Sequence, residues 1–273
     1  MNKILVADDN SNERNGLCRL LEHAGYDVRS AADGVEALQK IEENIFDLLL
    51  LDIWMPRMNG IELLAMAPKE SRPKALVITG DESPEVLLLS LREKAYRFIS
   101  KPINPAEFLR VVKATLEAPP DCDPIEVLST DPNWVELRFP CAIQAADRIE
   151  SVVDQLNLSL PPRIRESVKT AVHELLINAV KWGGHLGPHA QARMDYLRTR
   201  KFILCRIADP GTGFVPSDPR SVGDTVRSIA FDHFRNAVGS RPDGFAVKLA
   251  KSLVDELVFN ESRNEVAIVK YLN

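Results

Sequence analysis

Five polar or charged side chains among the first 101 residues each fall at the end of a short apolar run typical of a buried strand: Asp8, Asp9, Asp52, Thr79 and Lys101. Functional groups gather at the carboxyl edge of a doubly wound sheet. Three carboxylates brought together there repel one another and need a hard cation such as Mg²⁺. A carboxylate can attack phosphorus, while the metal and an ammonium group offset the charge that develops on the phosphoryl oxygens. This set predicts a site that receives a phosphoryl group.

A second set of residues in the other half of the chain is typical of a nucleotide site. Glu174 and Asn178 lie one turn apart on a predicted helix, so they project from the same edge. The amide oxygen can bind Mg²⁺ and the carboxylate can act as a general base. Asp209 ends an apolar run and can accept a hydrogen bond from an amine such as that of adenine, while Gly211 and Gly213 allow close backbone approach. These residues predict an ATP site.

Strands and helices must alternate to position the first set. Short apolar runs at 4–7, 48–51 and 75–78 predict buried strands. Between them, Ser11 is expected to cap a helix that stops at Gly25. Further helices are predicted at 35–41, at 84–94 and after Asn104. Five strand–helix units predict an α/β fold with a doubly wound, parallel, five-stranded sheet.

A proline-rich stretch separates this pattern from the next. Residues 117–124 contain three prolines and no hydrophobic periodicity, so we predict a first domain at 1–117, a linker at 118–125 and a second domain at 126–273. The second domain has an α+β order. Its predicted elements are strands at 125–128 and 134–139, helices at 143–156 and 161–182, strands at 192–197 and 202–208, a helix at 245–256 and a strand at 265–272.

Composition restricts the classes of partner and compartment. The length of 273 residues suits two domains, and the net charge of −5 does not favour a nucleic acid or an anionic membrane surface as a partner. The four cysteines are scattered without a CxxC pair, which argues against a disulfide framework or a zinc site and favours a cytoplasmic location. No signal-peptide core and no apolar run of roughly 18 residues is present in the sequence.

The segment from Asp52-Ile-Trp-Met-Pro56 to Gly60, together with Lys101-Pro102, resembles the receiver domain of two-component response regulators over residues 1–117. The resemblance implies a flavodoxin-like fold in which Asp52 is the phosphoacceptor and binds Mg²⁺ with Asp8 and Asp9. It also implies that Thr79 and Phe98 form a switch pair beside Lys101. On phosphorylation, Thr79 would turn toward the phosphoryl oxygens and leave space into which Phe98 rotates.

The motifs Glu174–Asn178, Asp209–Gly213 and Arg241–Phe245 resemble the GHKL, or Bergerat, ATP-binding fold of histidine kinases, gyrase and anti-sigma factor kinases over residues 125–273. That fold is an α/β sandwich. The resemblance implies that Glu174 is catalytic, that Asn178 binds Mg²⁺, and that further residues bind ATP, namely Asn178, Lys181, Asp209, Gly211, Gly213 and Gly244. Within that superfamily, the compact size and the segment Phe245–Leu257 most resemble the anti-sigma factor kinase branch. Ala246 departs from the usual Gly-x-Gly of the second glycine box, which puts catalysis in more doubt than nucleotide binding.

His173-Glu174-Leu175 also imitates the start of a histidine kinase acceptor helix, but the glycine box follows too closely for that arrangement. No histidine lies between His23 and His173, so phosphate is expected from a separate, cognate histidine kinase or from a small donor.

The predicted function is a response regulator whose phosphorylation on Asp52 controls an anti-sigma-factor-like serine/threonine kinase acting on a protein partner. One alternative is a non-catalytic ATP-binding module that sequesters a sigma factor or its antagonist. Another is a GHKL ATPase without a protein acceptor. The sequence leaves open whether the chain forms a homodimer, because both types of domain can dimerise.

Overall fold

The computed structural model describes residues 1–68, 72–80, 83–118, 125–129, 131, 134–185, 187, 189–212 and 245–272. The chain divides into two compact units. The first comprises residues 1–132 and 147–160, and the second comprises residues 133–146 and 161–273.

A parallel five-stranded sheet forms the centre of the first unit, which confirms the predicted doubly wound sheet. Its strands lie in the order β2-β1-β3-β4-β5, and neighbouring strands pair in parallel. The strands are β1 (Lys3–Ala7), β2 (Asp27–Ala31), β3 (Leu48–Asp52), β4 (Lys74–Thr79) and β5 (Arg97–Ser100). All five residues of β3 are buried, as expected for a central strand covered on both faces.

Five helices connect these strands: α1 (Ser11–His23), α2 (Gly34–Glu43), α3 (Gly60–Met66), α4 (Pro84–Arg92) and α5 (Pro105–Glu117). Asn104 caps α5 as predicted. The cap of α1 is Asn10 rather than Ser11, because the Asn10 side chain accepts hydrogen bonds from Asn12 N and Glu13 N. The short helix α3 is not among the predicted elements.

Helices α1 and α5 pack against one face of the sheet. Alternate residues of a strand share a face, and Ile4, Val6, Leu48 and Leu50 join the same buried cluster as α1 and α5 residues. The helix residues in this cluster are Leu17, Leu21, Phe108, Val111 and Val112. This packing holds the carboxyl ends of β1 and β3 side by side.

The second unit is an antiparallel sheet covered by helices, which confirms an α/β sandwich. Its strands lie in the order β10-β11-β9-β8-β7, and neighbours pair antiparallel. The strands are β7 (Trp134–Pro140), β8 (Gln191–Arg198), β9 (Phe202–Ala208), β10 (Glu256–Phe259) and β11 (Glu265–Tyr271), and β6 (Glu126–Val127) precedes them in the chain. The helices are α7 (Pro162–Asn178) and α8 (Phe245–Leu253). Helix α7 buries Val168, Ala171, Val172 and Leu175, which lie on one face at helical spacing.

Two predicted helices of this unit end earlier than expected. The helix predicted at 161–182 changes at Ala179 into a π-helical turn, Ala179–Gly183, a feature frequent at functional sites. The helix predicted at 245–256 ends at Leu253. Residues 256–259 form β10 instead, because pairing with β11 outweighs a pattern that is ambiguous between helix and strand.

Helix α6 (Ile143–Leu156) contains the boundary between the two units, which falls between residues 146 and 147. In the described part of the chain, no helix combines the length and the apolarity needed to cross a membrane.

Candidate functional site

Three carboxylates meet at the carboxyl edge of the parallel sheet, as the sequence predicts. Asp8 and Asp9 follow β1, and Asp52 is the last residue of the neighbouring strand β3. One oxygen from each carboxylate lies within 4.8 Å of the others. Asp8 and Asp52 are buried, at 2% and 8% exposure, whereas Asp9 is exposed. Three oxygen donors at this spacing, one of them open to solvent, fit a Mg²⁺ ion that retains water ligands.

Lys101 follows β5 and brings its ammonium group to the same cluster. Its Nζ lies 3.2 Å from Asp52 Oδ2 and 3.4 Å from Asp8 Oδ2. Nζ also pairs with Glu13 Oε2 at 2.7 Å. Glu13 is absent from the sequence-based set. It lies in the first turn of α1, three residues after the Asn10 cap, and neither its residue type nor its spacing shows that its side chain reaches Lys101.

Burial and charge shift the pKa values of this cluster. Burial raises the pKa of Asp8 and of Asp52 more than the nearby Lys101 charge lowers it, so both pKa values lie above the ordinary aspartate value. Burial lowers the pKa of Lys101, but its pairing with Glu13, Asp52 and Asp8 raises that pKa more, so the group stays an ammonium. A divalent cation would relieve the crowding of negative charge that remains.

Backbone contacts fix the orientation of the two buried carboxylates. Asp52 Oδ1 accepts a hydrogen bond from Ile53 N at 2.8 Å, and Asp8 Oδ1 accepts one from Asn10 N at 2.8 Å. Gly60 N donates to Ile53 O at 2.8 Å, and a Cβ at Gly60 would overlap the Asp52 carbonyl oxygen. The turn after Asp52 therefore requires glycine at position 60.

Thr79 and Phe98 lie beside one cavity in the first unit. Thr79 ends β4 and Phe98 belongs to β5, and both side chains are buried. The cavity is lined by Ile53, Thr79, Ser83, Val86, Leu87, Phe98 and Gln155. The predicted switch pair thus borders one small cavity. Their role as a switch stays a prediction.

Glu174 and Asn178 lie on the last turns of α7, and both side chains are half-buried. Asn178 is the last residue of α7, directly before the π-helical turn. Lys181 lies in that turn and is exposed. The structure therefore places the predicted base and the predicted metal ligand one turn apart, near the end of the helix.

Asp209 follows β9 and is held by its own loop. Its Oδ1 accepts a hydrogen bond from Gly211 N at 2.8 Å, and its backbone N donates to Asn264 O at 2.9 Å. Asn264 Nδ2 also donates to Gly211 O at 3.1 Å. Burial raises the pKa of Asp209 more than the Gly211 hydrogen bond and the charge of His185 lower it. Asn264, which braces this loop, was missed by the sequence reasoning.

Two glycines at the end of the π-helical turn make room for Asp209 and its surroundings. A Cβ at Gly183 would overlap the Asp209 carboxyl group, and a Cβ at Gly184 would overlap the Cys141 side chain. Burial and, to a lesser extent, the Asp209 charge raise the pKa of Cys141 to about 11, so this thiol stays neutral. The adjacent glycines Gly183 and Gly184 are visible in the sequence, but the sequence does not show which side chains approach them.

Two predicted residues, Gly213 and Gly244, lie outside the described residues. Ala246, the departure from the second glycine box, lies in the first turn of α8.

Comparison with known proteins matches two families along this chain. The sequence model of the response regulator receiver domain matches residues 4–113. The model of the histidine kinase-like ATPase domain matches residues 141–270.

Individual relatives each match part of this chain. The chain is 39% identical to the transcriptional regulatory protein CpxR homolog of Haemophilus influenzae over 137 residues, which is 48% of this chain and 59% of the relative. It is 29% identical to the alkaline phosphatase synthesis transcriptional regulatory protein PhoP of Bacillus subtilis over 187 residues, which is 65% of this chain and 78% of the relative. A CheY-like receiver domain from Methanospirillum hungatei has 38% identity and a TM-score of 0.42, covering 43% of this chain and 94% of that structure.

The chain spans about half the length of CpxR from Escherichia coli, 50% at 36% identity. The two family matches do not overlap and together extend from residue 4 to residue 270. The chain therefore contains a response regulator receiver domain at residues 4–113 and a histidine kinase-like ATPase domain of the GHKL type at residues 141–270.

Proposed function

We propose that this chain is a two-component response regulator in which phosphorylation of Asp52 controls an ATP-dependent serine/threonine protein kinase of the anti-sigma factor type. The observation that carries the first half is the cluster of Asp8, Asp9 and Asp52 with Lys101 Nζ 3.2 Å from Asp52 Oδ2. The second half is supported by the ATPase family match and by the positions of Glu174 and Asp209.

In the receiver, Asp52 is the nucleophile. One oxygen is held by Ile53 N, while Oδ2 faces the Lys101 ammonium. A carboxylate oxygen of Asp52 would form a bond to phosphorus as the bond to the donor breaks, giving an aspartyl phosphate and the free donor. Mg²⁺ held by Asp8, Asp9 and Asp52 would neutralise charge on the phosphoryl oxygens. The donor would be the phosphohistidine of a cognate histidine kinase or a small phosphate donor.

In the second unit, Asp209 would accept the adenine amine, and Asn178 would bind Mg²⁺ on the phosphates of ATP. Lys181, which is exposed in the π-helical turn after Asn178, would contact a phosphate. Glu174, one turn before Asn178 on α7, would take the proton from a serine or threonine hydroxyl of the partner protein. The hydroxyl oxygen then bonds to the γ-phosphorus, and ADP leaves.

Labelled ATP tests the kinase proposal. The chain, proteins that co-purify with it from its native host, Mg²⁺ and γ-labelled ATP are incubated and then treated with acid. Phosphoserine and phosphothreonine survive acid, whereas an aspartyl phosphate does not. We expect an acid-stable label on a partner, and we expect Glu174→Ala to reduce it by roughly 10²- to 10⁴-fold while calorimetric ATP binding is retained. Full labelling with Glu174→Ala would refute the role of this residue.

A second candidate is an ATP-binding module that sequesters a sigma factor or an antagonist without transferring phosphate. Ala246 favours it, because a methyl group replaces hydrogen where the family has glycine, in the first turn of α8. In that case ATP binds and changes partner affinity, but no acid-stable label forms. Steady release of phosphate without a partner would instead indicate a GHKL ATPase that lacks a protein acceptor.

A further inference from the structure

Helix α6 is assigned to the ATPase domain by its sequence but packs mostly in the receiver-containing unit. Its sequence lies within the 141–270 match to the ATPase family. Its residues from 147 onward nevertheless pack into the first, receiver-containing unit. A continuous helix of 14 residues is about 21 Å long and moves as one piece. A shift at its receiver-bound end therefore reaches its other end.

Arg148 anchors α6 to the receiver. Its Nε donates a hydrogen bond to the carbonyl oxygen of Tyr96 at 2.9 Å. Its guanidinium carbon also lies 4.4 Å from the centroid of the Tyr96 ring. Arg148 is 6% exposed and Tyr96 is 8% exposed. A cation–π contact gains strength when both groups are removed from water, so this contact is a stable attachment.

Residues on either side of Arg148 in α6 contact β5. Ser151 Oγ donates a hydrogen bond to the carbonyl oxygen of Phe98 at 3.3 Å, and Asp147 pairs with Arg97 at 3.7 Å. Residues 148 and 151 share a helix face, and their partners are Tyr96, directly before β5, and Phe98 within it, so the two hydrogen bonds form one seam. Strand β5 is at the edge of the sheet, and a helix laid along an edge strand protects it from other pairing.

A further turn along α6 brings Gln155 to the cavity between the predicted switch residues. Gln155 is 8% exposed and lines that cavity together with Thr79 and Phe98. Along one face of the helix, therefore, Arg148, Ser151 and Gln155 contact the Tyr96 carbonyl, the Phe98 carbonyl and the switch cavity in turn.

We propose that the edge of β5 and the Thr79–Phe98 cavity form a docking surface for α6 of the same chain, and that this contact transmits the phosphorylation state of Asp52 to the ATPase domain. The inference rests on the proposed phosphorylation of Asp52. When Thr79 moves toward a phosphoryl group, the small cavity that it lines with Phe98 and Gln155 changes shape, and the surface on which α6 packs changes with it. The position or stability of α6 on β5 then differs between the two states.

The test uses the full chain with beryllium fluoride and Mg²⁺ as a stable phosphoryl mimic, followed by hydrogen exchange and mass spectrometry. Peptides from 53–59, next to Asp52, report whether the mimic binds. Peptides from 143–156 report on α6. We expect beryllium fluoride to change exchange in both regions, and Asp52→Asn to abolish both changes.

A variant tests the coupling in the opposite direction, since coupling between two sites is reciprocal. Arg148→Met removes the hydrogen bond and the charge but keeps much of the side-chain volume. We expect it to shift the half-saturating beryllium fluoride concentration, read from the 53–59 peptides, by about fivefold or more. Arg19→Met, which changes an exposed arginine of α1, is the matched control and should leave that concentration unchanged.

The outcomes separate the two proposals. Exchange that changes at 53–59 but not at 143–156, or an unchanged half-saturating concentration in folded Arg148→Met, overturns the role of α6 and leaves the receiver function intact. No response in either region overturns both.

Discussion

The close packing of Gly183 against Asp209 predicts that one methyl group will disable the nucleotide site. In Gly183→Ala, the new Cβ would occupy the place of the Asp209 carboxyl group. The carboxyl group must then move, and it cannot do so without leaving Gly211 N, to which Oδ1 is hydrogen-bonded at 2.8 Å. A hydrogen bond to a charged group contributes about 1.5–3 kcal/mol.

Two magnitudes follow from this displacement. Overpacking of this kind typically costs about 1–3 kcal/mol of folding free energy. If Asp209 accepts the adenine amine, loss of that hydrogen bond weakens ATP binding by roughly 10- to 150-fold, which is the same 1.5–3 kcal/mol expressed as an affinity.

Calorimetry with Mg-ATP, combined with urea unfolding of the nucleotide-free chain, measures both quantities. Gly16→Ala is the matched control, because nothing lies within 4 Å of a Cβ at that exposed position of α1. It should leave ATP affinity unchanged and stabilise the helix by about 0.5–1 kcal/mol. A Gly183→Ala chain that is as stable as the original and binds ATP equally well would refute the reasoning on Asp209.

Three other changes test the receiver unit. Lys101→Met should slow the labelling of the receiver unit by acetyl phosphate while the chain stays folded. Acid-labile label measures the labelling rate, and circular dichroism measures folding. An unaltered labelling rate would contradict the role assigned to Lys101. Asp33 caps α2, and although burial raises its pKa, hydrogen bonds from Arg57 and from two backbone amides lower it further, below the ordinary value. The unfolded chain therefore binds a proton first as pH falls, so the stability due to the charge is present above about pH 4 and is lost below it. Asn is also a good cap, so Asp33→Asn removes the charge and keeps the cap. Urea unfolding should show that this variant is less stable than the original chain at neutral pH and equally stable in strong acid. A difference in stability that stays constant with pH would show that the Asp33 charge is not its cause. Leu50→Ala, in the fully buried strand β3, should cost about 2–5 kcal/mol of unfolding free energy, and a cost below 1 kcal/mol would mean that the cavity had collapsed.

The receiver fold was predictable largely because β1, β3 and β4 are short apolar runs, each with a chemically distinctive residue at its end or directly after it. Asp52 and Lys101 could be brought together from sequence alone, since parallel strands end at one edge of the sheet. Glu13 could not, because its part in the site depends on how far one side chain reaches from the first turn of α1.

The second unit was harder to predict in detail. The helical stripe of α7 continues through residue 179 in sequence, so nothing in its periodicity shows the change to a π-helical turn. Gly183 and Asn264 act through backbone approach and loop bracing, and neither residue type nor spacing reveals such contacts. The short strand β10 exists because β11 pairs with it, which is a long-range effect that local propensity does not contain.

The ammonium of Lys101 draws its partners from the beginning and the middle of the receiver sequence: Asp8 is 93 residues away and Asp52 is 49 residues away. Residue 101 must therefore leave the ribosome before the Asp52 carboxylate has this counter-charge. A growing chain that is stopped short of this lysine would carry Asp8 and Asp52 without their shared ammonium partner. The charge balance at this edge of the sheet is thus completed only after β5 has been synthesised.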